Sequence, residues 1–171
     1  MTFRKYFMLF YFFAALVFSA TVAKAGEPRL IGTYGDWLSY IFIENGNKVC
    51  YMVSKPTKEE GNYTRRGEVF ALVTHRPSES TKDVFSYITG YTYKPGSEVD
   101  VKIGSDSYTL FTQDDTAWAM DSETDSKLAE SIRKGRTMVV RGLSSRGTKT
   151  TDTFSLKGSS KAYDRITREC Y

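Results

Sequence analysis

The chain is predicted to be mainly β, an antiparallel β-sandwich or open barrel with one mid-chain helix and a short C-terminal helix. Three observations predict it. Apolar residues alternate with period two through most segments after Glu68, the mark of half-buried strands. Turn residues separate those segments at intervals of about ten residues, as in all-β sandwiches. Only two stretches show helical spacing.

In Glu68 to Thr74, Val69, Ala71 and Val73 alternate with Phe70, Leu72 and Thr74. Both faces are therefore largely apolar, which predicts a central strand. Phe85, Tyr87, Tyr91 and Tyr93 fall on alternate positions of the next segment, a Lys94-Pro95-Gly96-Ser97 turn follows, and Val99, Val101 and Ile103 alternate with polar residues. Gly104 to Ser107 forms the next turn and Tyr108 to Thr112 returns, so residues 85–112 read as an antiparallel meander. Ser122 to Lys134 carries acids at Glu123 and Asp125, an apolar stripe of Leu128, Ala129 and Ile132, and a closing Arg133-Lys134-Gly135, which together predict a helix. Strands resume at Thr137 to Leu143 and Thr151 to Leu156 with Gly142 to Thr148 connecting them. A short helix from about Ser160 to Arg168, with Ala162, Tyr163 and Ile166 on one side, leads to Cys170.

The first 25 residues form a secretory leader in sequence: Arg4 and Lys5, an apolar run from Tyr6 to about Phe18, then Ala23-Lys24-Ala25 as an A-x-A cleavage site before Gly26. The alternative is an uncleaved anchor, since the apolar run approaches the roughly 20 residues that span a bilayer. Cleavage removes Arg4, Lys5 and Lys24 and no acid, leaving 21 basic against 20 acidic residues in 26–171. Those charges are interleaved along the chain, without the clustered basic face of a nucleic-acid binder. Residues 26–171 suit a single domain, with no linker and no internal repeat. Cleavage leaves no stable membrane span and places the domain in the periplasm, associated with the outer membrane or secreted.

There are two cysteines, Cys50 and Cys170. In an oxidising compartment their expected state is a disulfide, the alternative being two buried thiols. The bond would fasten the C-terminus to an early strand.

A single histidine, His75, narrows the enzymatic options. It closes a strong strand just before Pro77, and no Gly-x-Ser-x-Gly elbow supplies a nucleophile. Its plain reading is a surface or strand-end histidine; its chemical reading is a hydrolase with a nearby hydroxyl and an acid behind it. One histidine and two distant cysteines give no zinc spacing. Asp121, Glu123 and Asp125 begin like a calcium loop, but Ser126 stands where glycine is required and Ile132 where glutamate is. The glycines occur singly, so no phosphate loop is present. No catalytic residue, metal ligand or cofactor is therefore expected. Aromatic residues are 15% of the chain. Tyr91 and Trp118, with Tyr87, Tyr93 and Tyr108, either fill the inter-sheet core or line a glycan- or peptide-binding surface.

The order of these features resembles the invasion-associated locus B family of alphaproteobacteria. The likeness is carried by Gly35-Asp36-Trp37, Cys50-Tyr51 with Ser54-Lys55-Pro56, Val69 to Val73 leading to Arg76-Pro77, Met138-Val139-Val140, and Phe154-Ser155-Leu156-Lys157-Gly158 before a helix closed by a cysteine. The resemblance implies an exported, periplasmic or envelope-associated β-sandwich, and it carries over no catalytic residue; the expected function is that of a non-enzymatic interaction protein that contacts another envelope protein. Gly35, Asp36 and Trp37, with Cys50 and Cys170, match recurrent family positions whose natural role is structural. The sequence departs from many relatives at Tyr40-Ile41-Phe42 and in Phe111 to Asp121, where they carry further cysteines, and at Gly158-Ser159, where they have Gly-Phe.

Overall fold

Eleven strands and two helices account for the chain from Arg29 to Cys170 in a computed structural model that describes residues 26–171. The leader and its cleavage site lie outside the described residues. The strands are β1 (Arg29–Tyr34), β2 (Trp37–Glu44), β3 (Asn47–Ser54), β4 (Lys58–Gly61), β5 (Phe70–Arg76), β6 (Thr81–Ile88), β7 (Glu98–Ile103), β8 (Asp106–Gln113), β9 (Thr116–Trp118), β10 (Thr137–Leu143) and β11 (Lys149–Ser155). The helices are α1 (Ser122–Lys134) and α2 (Ser159–Cys170). All pairings are antiparallel, in the order β1-β2-β3-β5-β6-β9-β8-β7-β10-β11-β4. The sheet does not close, and β1 and β4 are its edges. The edge β4 is four exposed residues, Lys58-Glu59-Glu60-Gly61, the short charged form that discourages strand addition. This is the mainly β, open architecture that the alternation predicts.

α1 begins where Asp121 accepts the Thr124 amide at 2.7 Å. That bond satisfies a donor the first turn leaves unpaired. Leu128, Ala129 and Ile132 are buried, as their spacing requires. α2 buries Ala162, Tyr163 and Ile166. Both helices lie on the inner side of the sheet: Ser39 on β2 donates to the Ala162 carbonyl at 3.1 Å, and Asp125 on α1 accepts the Phe85 amide of β6 at 2.8 Å.

The sheet curls until its two halves face each other. Tyr87 on β6 meets Phe154 on β11 edge to face at 6.2 Å, and both are fully buried. At the rim the buried Trp37 donates its indole N–H to the Ser155 carbonyl at 3.0 Å, and the Asp36 amide donates to the Lys157 carbonyl at 3.0 Å. Gly158 makes this contact possible: it has φ 94°, and a Cβ there would lie 1.9 Å from the Tyr34 carbonyl oxygen. Only glycine fits both demands. The Gly35-Asp36-Trp37 segment is thus docked, by its backbone and one ring, onto the segment that starts α2.

The meander read over residues 85–112 holds only for β7 and β8. β9 inserts between β6 and β8, pairing Ser86 with Trp118 and Phe111 with Trp118. Residues 89–97 cross instead of pairing with β6: Thr89 and Tyr93 donate their amides to the carbonyls of Asp115 and Asp114. Of the alternating aromatics there, Phe85, Tyr87 and Tyr93 are core and only Tyr91 is half-buried.

Candidate functional site

Register across the first half of the sheet builds an apolar row on its outer side. Leu38, Val53, Leu72, Ser86, Trp118 and Phe111 are successive cross-strand partners. Neighbouring rows add Tyr40, Tyr51 and Val84 on one side and Phe70 and Ile88 on the other. Tyr40 and Tyr51 stack at 5.2 Å. None of these residues carries a charge. Their inward neighbours Trp37, Ser39, Met52, Ala71, Val73, Phe85 and Ala117 are buried, so the pleat sends this set to the opposite side, where Phe111 is exposed, Ser86 is buried and the rest are half-buried. Both helices occupy the inner side, and no helix packs on the outer row. An antiparallel sheet with one free side normally alternates apolar-in and polar-out. The second half does: Glu98, Asp100, Lys102, Arg141 and Lys149 point out from β7, β10 and β11 and are exposed. The first half does not. A shallow groove of about 350 Å³ at one end of the apolar row is bordered by Leu38, Val53, Pro56 and Phe70 and also by Asp36 and Lys55, whose amine lies 5.3 Å over the Phe70 ring.

A second feature is a polar cleft of about 660 Å³ between the 62–67 loop, residues 90–92 and the β10–β11 turn. Its wall is organised by Arg66. The guanidinium donates two bonds to Asp152, at 2.6 and 2.7 Å, and further bonds to the Thr89 carbonyl (2.7 Å), the Thr89 hydroxyl (3.0 Å) and the Tyr87 hydroxyl (3.2 Å). It also lies 5.1 Å from the Tyr91 ring and 5.5 Å from the Tyr63 ring. Burial opposes the Arg66 charge, but the bonded Asp152 outweighs it and holds the guanidinium above its usual range. Burial, then the Asp152 carboxylate, pushes the Tyr87 hydroxyl up as well. Tyr87 donates to that same carboxylate.

His75 is fully buried, not a surface residue. Its Nδ1 accepts the Asp83 amide at 3.1 Å, and its Nε2 lies 3.1 Å from the Thr167 hydroxyl. With Nδ1 an acceptor, the neutral ring carries its proton on Nε2 and gives it to Thr167. A general base needs the reverse arrangement. The Asp83 carboxylate, 3.9 Å from Nδ1, instead accepts the Tyr163 hydroxyl at 2.6 Å. Burial lowers the His75 pKa. Asp125, nearby on α1, is pushed up to about 6 by burial, with Asp83 adding to the rise. The cluster ties β5, β6 and α2 together, and its geometry suits packing rather than hydrolysis. Beside it, Cys50 on β3 is disulfide-bonded to Cys170 at the end of α2.

The sequence-designated positions thus fall in four places. Gly35, Asp36 and Trp37 lie at the rim contact with α2, Cys50 and Cys170 join the sheet to α2, and Tyr91 and Trp118 separate. Tyr91 lines the polar cleft, where its hydroxyl meets that of Thr150 at 2.6 Å; Trp118 belongs to the apolar outer row. Among the described residues no group of three His, Cys, Asp or Glu is arranged to hold a metal ion, and no helix is long and apolar enough to cross a membrane. Arg66 and Asp152 escaped the sequence reading. The available signal was Asp152 sharing strand phase with Thr150 and the buried Phe154.

Comparison with known proteins decides the family. The family model described as invasion associated locus B (IalB) protein matches residues 41–167. The chain belongs to the invasion associated locus B family. Within that family, the chain is similar to the crystal structure of invasion associated protein B from Bartonella henselae, with a TM-score of 0.57 and 15% identity over 81% of this chain and 95% of that one. At that identity the likeness concerns the fold. No curated protein matches the chain. The family match spans Cys50, His75, Arg66, Asp152 and the apolar row apart from Leu38 and Tyr40, and stops short of Cys170.

Proposed function

We propose that this invasion associated locus B family chain is an exported, non-enzymatic protein of the bacterial envelope that works by binding another envelope protein through the outer side of its first sheet half. The uncharged row from Leu38 to Phe111 carries the reading. Contiguous apolar surface left open to solvent marks contact sites in soluble proteins, and this row is half-buried side chains running to the exposed Phe111. The leader in the sequence, the Cys50–Cys170 disulfide and the lack of a usable base at His75 support export and a binding role. The occupant is a protein with an apolar, uncharged surface, since the row offers no charge to pair.

A glycan- or peptide-binding module resting jointly on Tyr91 and Trp118 is the second reading. It is supported less well, because the two rings lie on different surfaces.

The test expresses the full chain in a Gram-negative host. The expected product is periplasmic, begins at Gly26 by mass and has no free thiol. A protein co-purifying with the wild type and lost with the exposed-face variant Leu72→Lys/Trp118→Lys supports the reading. Equal recovery with the wild type and the variant overturns the assigned face, and a cytoplasmic product with two free thiols overturns export.

A further inference from the structure

We infer that the polar cleft beside Arg66 is a binding site for an anionic saccharide, a sugar unit carrying a carboxylate or a phosphate. The site is separate from the apolar outer row and the inference does not rest on it.

Charge is the first observation. Arg65, Arg66 and Arg146 line the cleft from two different segments, and no acidic side chain does. Arg66 is already neutralised by Asp152, with the Glu59 carboxylate a further 3.6 Å neighbour outside the cleft lining. Arg65 and Arg146 are exposed and meet no carboxylate within ion-pair distance among the described residues. The cleft therefore holds two uncompensated guanidinium groups, the side chain best suited to carboxylate and phosphate.

The rest of the lining says what carries the anion. Asn62, Thr64, Thr92 and Ser145 border the cleft, and their side chains make no hydrogen bond within the described residues. No Leu, Ile, Val, Met or Phe lines it. A peptide would find no pocket for an apolar side chain, whereas a polyhydroxylated ligand finds donors and acceptors on each wall. The volume of about 660 Å³ falls within the size of ordinary small-ligand sites.

The walls are held in place before any ligand arrives. The Gly67 amide donates to the Gly90 carbonyl at 2.9 Å. Gly90 has φ 73°, and a Cβ there would lie 2.4 Å from the Gly67 carbonyl oxygen. Across the cleft the Ser145 amide donates to the Thr92 carbonyl at 2.8 Å. Arg66 is fixed by its fork to Asp152 and the bonds to Thr89. A site so fixed loses little freedom on binding.

The test titrates the purified, disulfide-intact protein with a galacturonate oligosaccharide, glucose 1-phosphate, a neutral oligosaccharide, inorganic phosphate alone and an acidic peptide, followed by calorimetry and amide NMR. The expected result is saturable binding of at least one charged sugar, at least tenfold tighter than the neutral sugar and inorganic phosphate, with amide shifts at Gly67 and Gly90. The uronate and sugar-phosphate arms tell which acidic group is preferred. Arg65→Ala/Arg146→Ala, two exposed positions, should keep the wild-type melting temperature and lose at least tenfold in affinity, while Lys102→Ala, exposed on the polar half of the sheet and outside both surfaces, should bind as the wild type does. The inference is overturned if neither charged sugar saturates, if inorganic phosphate binds as tightly as the sugars, if the acidic peptide binds more tightly than both, or if the double variant binds unchanged.

Discussion

Arg66 and Asp152, 86 residues apart, meet in a two-bond fork whose side chains are 3% and 0% exposed. The pair joins the loop before β5 to β11, so it links the two facing halves of the curled sheet. Removing one member leaves a buried charge without its partner, which costs about 3 to 5 kcal/mol. Arg66→Met or Asp152→Leu alone is expected to destabilise by that much, and the double variant by less than the sum. Urea denaturation of the three variants measures the coupling. Additive losses would contradict it.

Cys50 and Cys170 are separated by 120 residues in sequence. Closing so long a loop stabilises the folded chain by about 4 to 5 kcal/mol in the chain-entropy model. Cys50→Ala/Cys170→Ala is expected to lower the melting temperature by roughly 10 °C or more. Calorimetry of the oxidised protein and the variant checks it; a shift of only a degree or two would show that α2 is held by its packing.

Asp125 titrates in a useful range. Its folded pKa, about 6, lies above its ordinary value of 3.8. The folded state therefore holds more protons than the unfolded one between those values, and this group's contribution to stability grows as pH falls through that window. Asn keeps an acceptor for the Phe85 amide and has no charge. Asp125→Asn is expected to gain up to about 2 kcal/mol at pH 7.5, with the gain disappearing near pH 4. Denaturant midpoints of both proteins at the two pH values decide it, and an equal difference at both would contradict the assignment.

His75 works in the opposite sense. Its pKa is lowered by burial, so below about 6.5, the ordinary histidine value, the unfolded chain takes up a proton that the folded one refuses, and stability falls. Nitrogen NMR is expected to show a neutral ring with the proton on Nε2 at pH 6. A ring titrating at or above the ordinary value, or one with its proton on Nδ1, would contradict the packing role.

Much of the architecture was legible because it is local. The Ser122 to Lys134 helix carries its acids, stripe and glycine stop within 14 residues, and Thr137 to Leu143 alternates within one strand. The central place of β5 followed from apolar residues on both its faces. What stayed hidden depends on register between distant strands. β9 is three residues long, too short to show a period, and its insertion broke the expected meander. The apolar outer row is assembled from six strands, so no window of sequence displays it. The cleft is likewise made of three separate segments, and Arg66 in Thr64-Arg65-Arg66-Gly67 looks like any surface arginine until Asp152 is brought beside it.

The central claim, that the first half of the sheet presents an interaction surface, is tested most directly by photo-crosslinking in the envelope of a cell that exports the protein. A photoreactive side chain is placed at Leu38, Val53 or Leu72 on the apolar row, or at Arg141 or Lys102 on the polar half of the same sheet side. Protein adducts from the first three sites, and none from the last two, are the predicted result. Adducts from neither set, or from both equally, would contradict the claim.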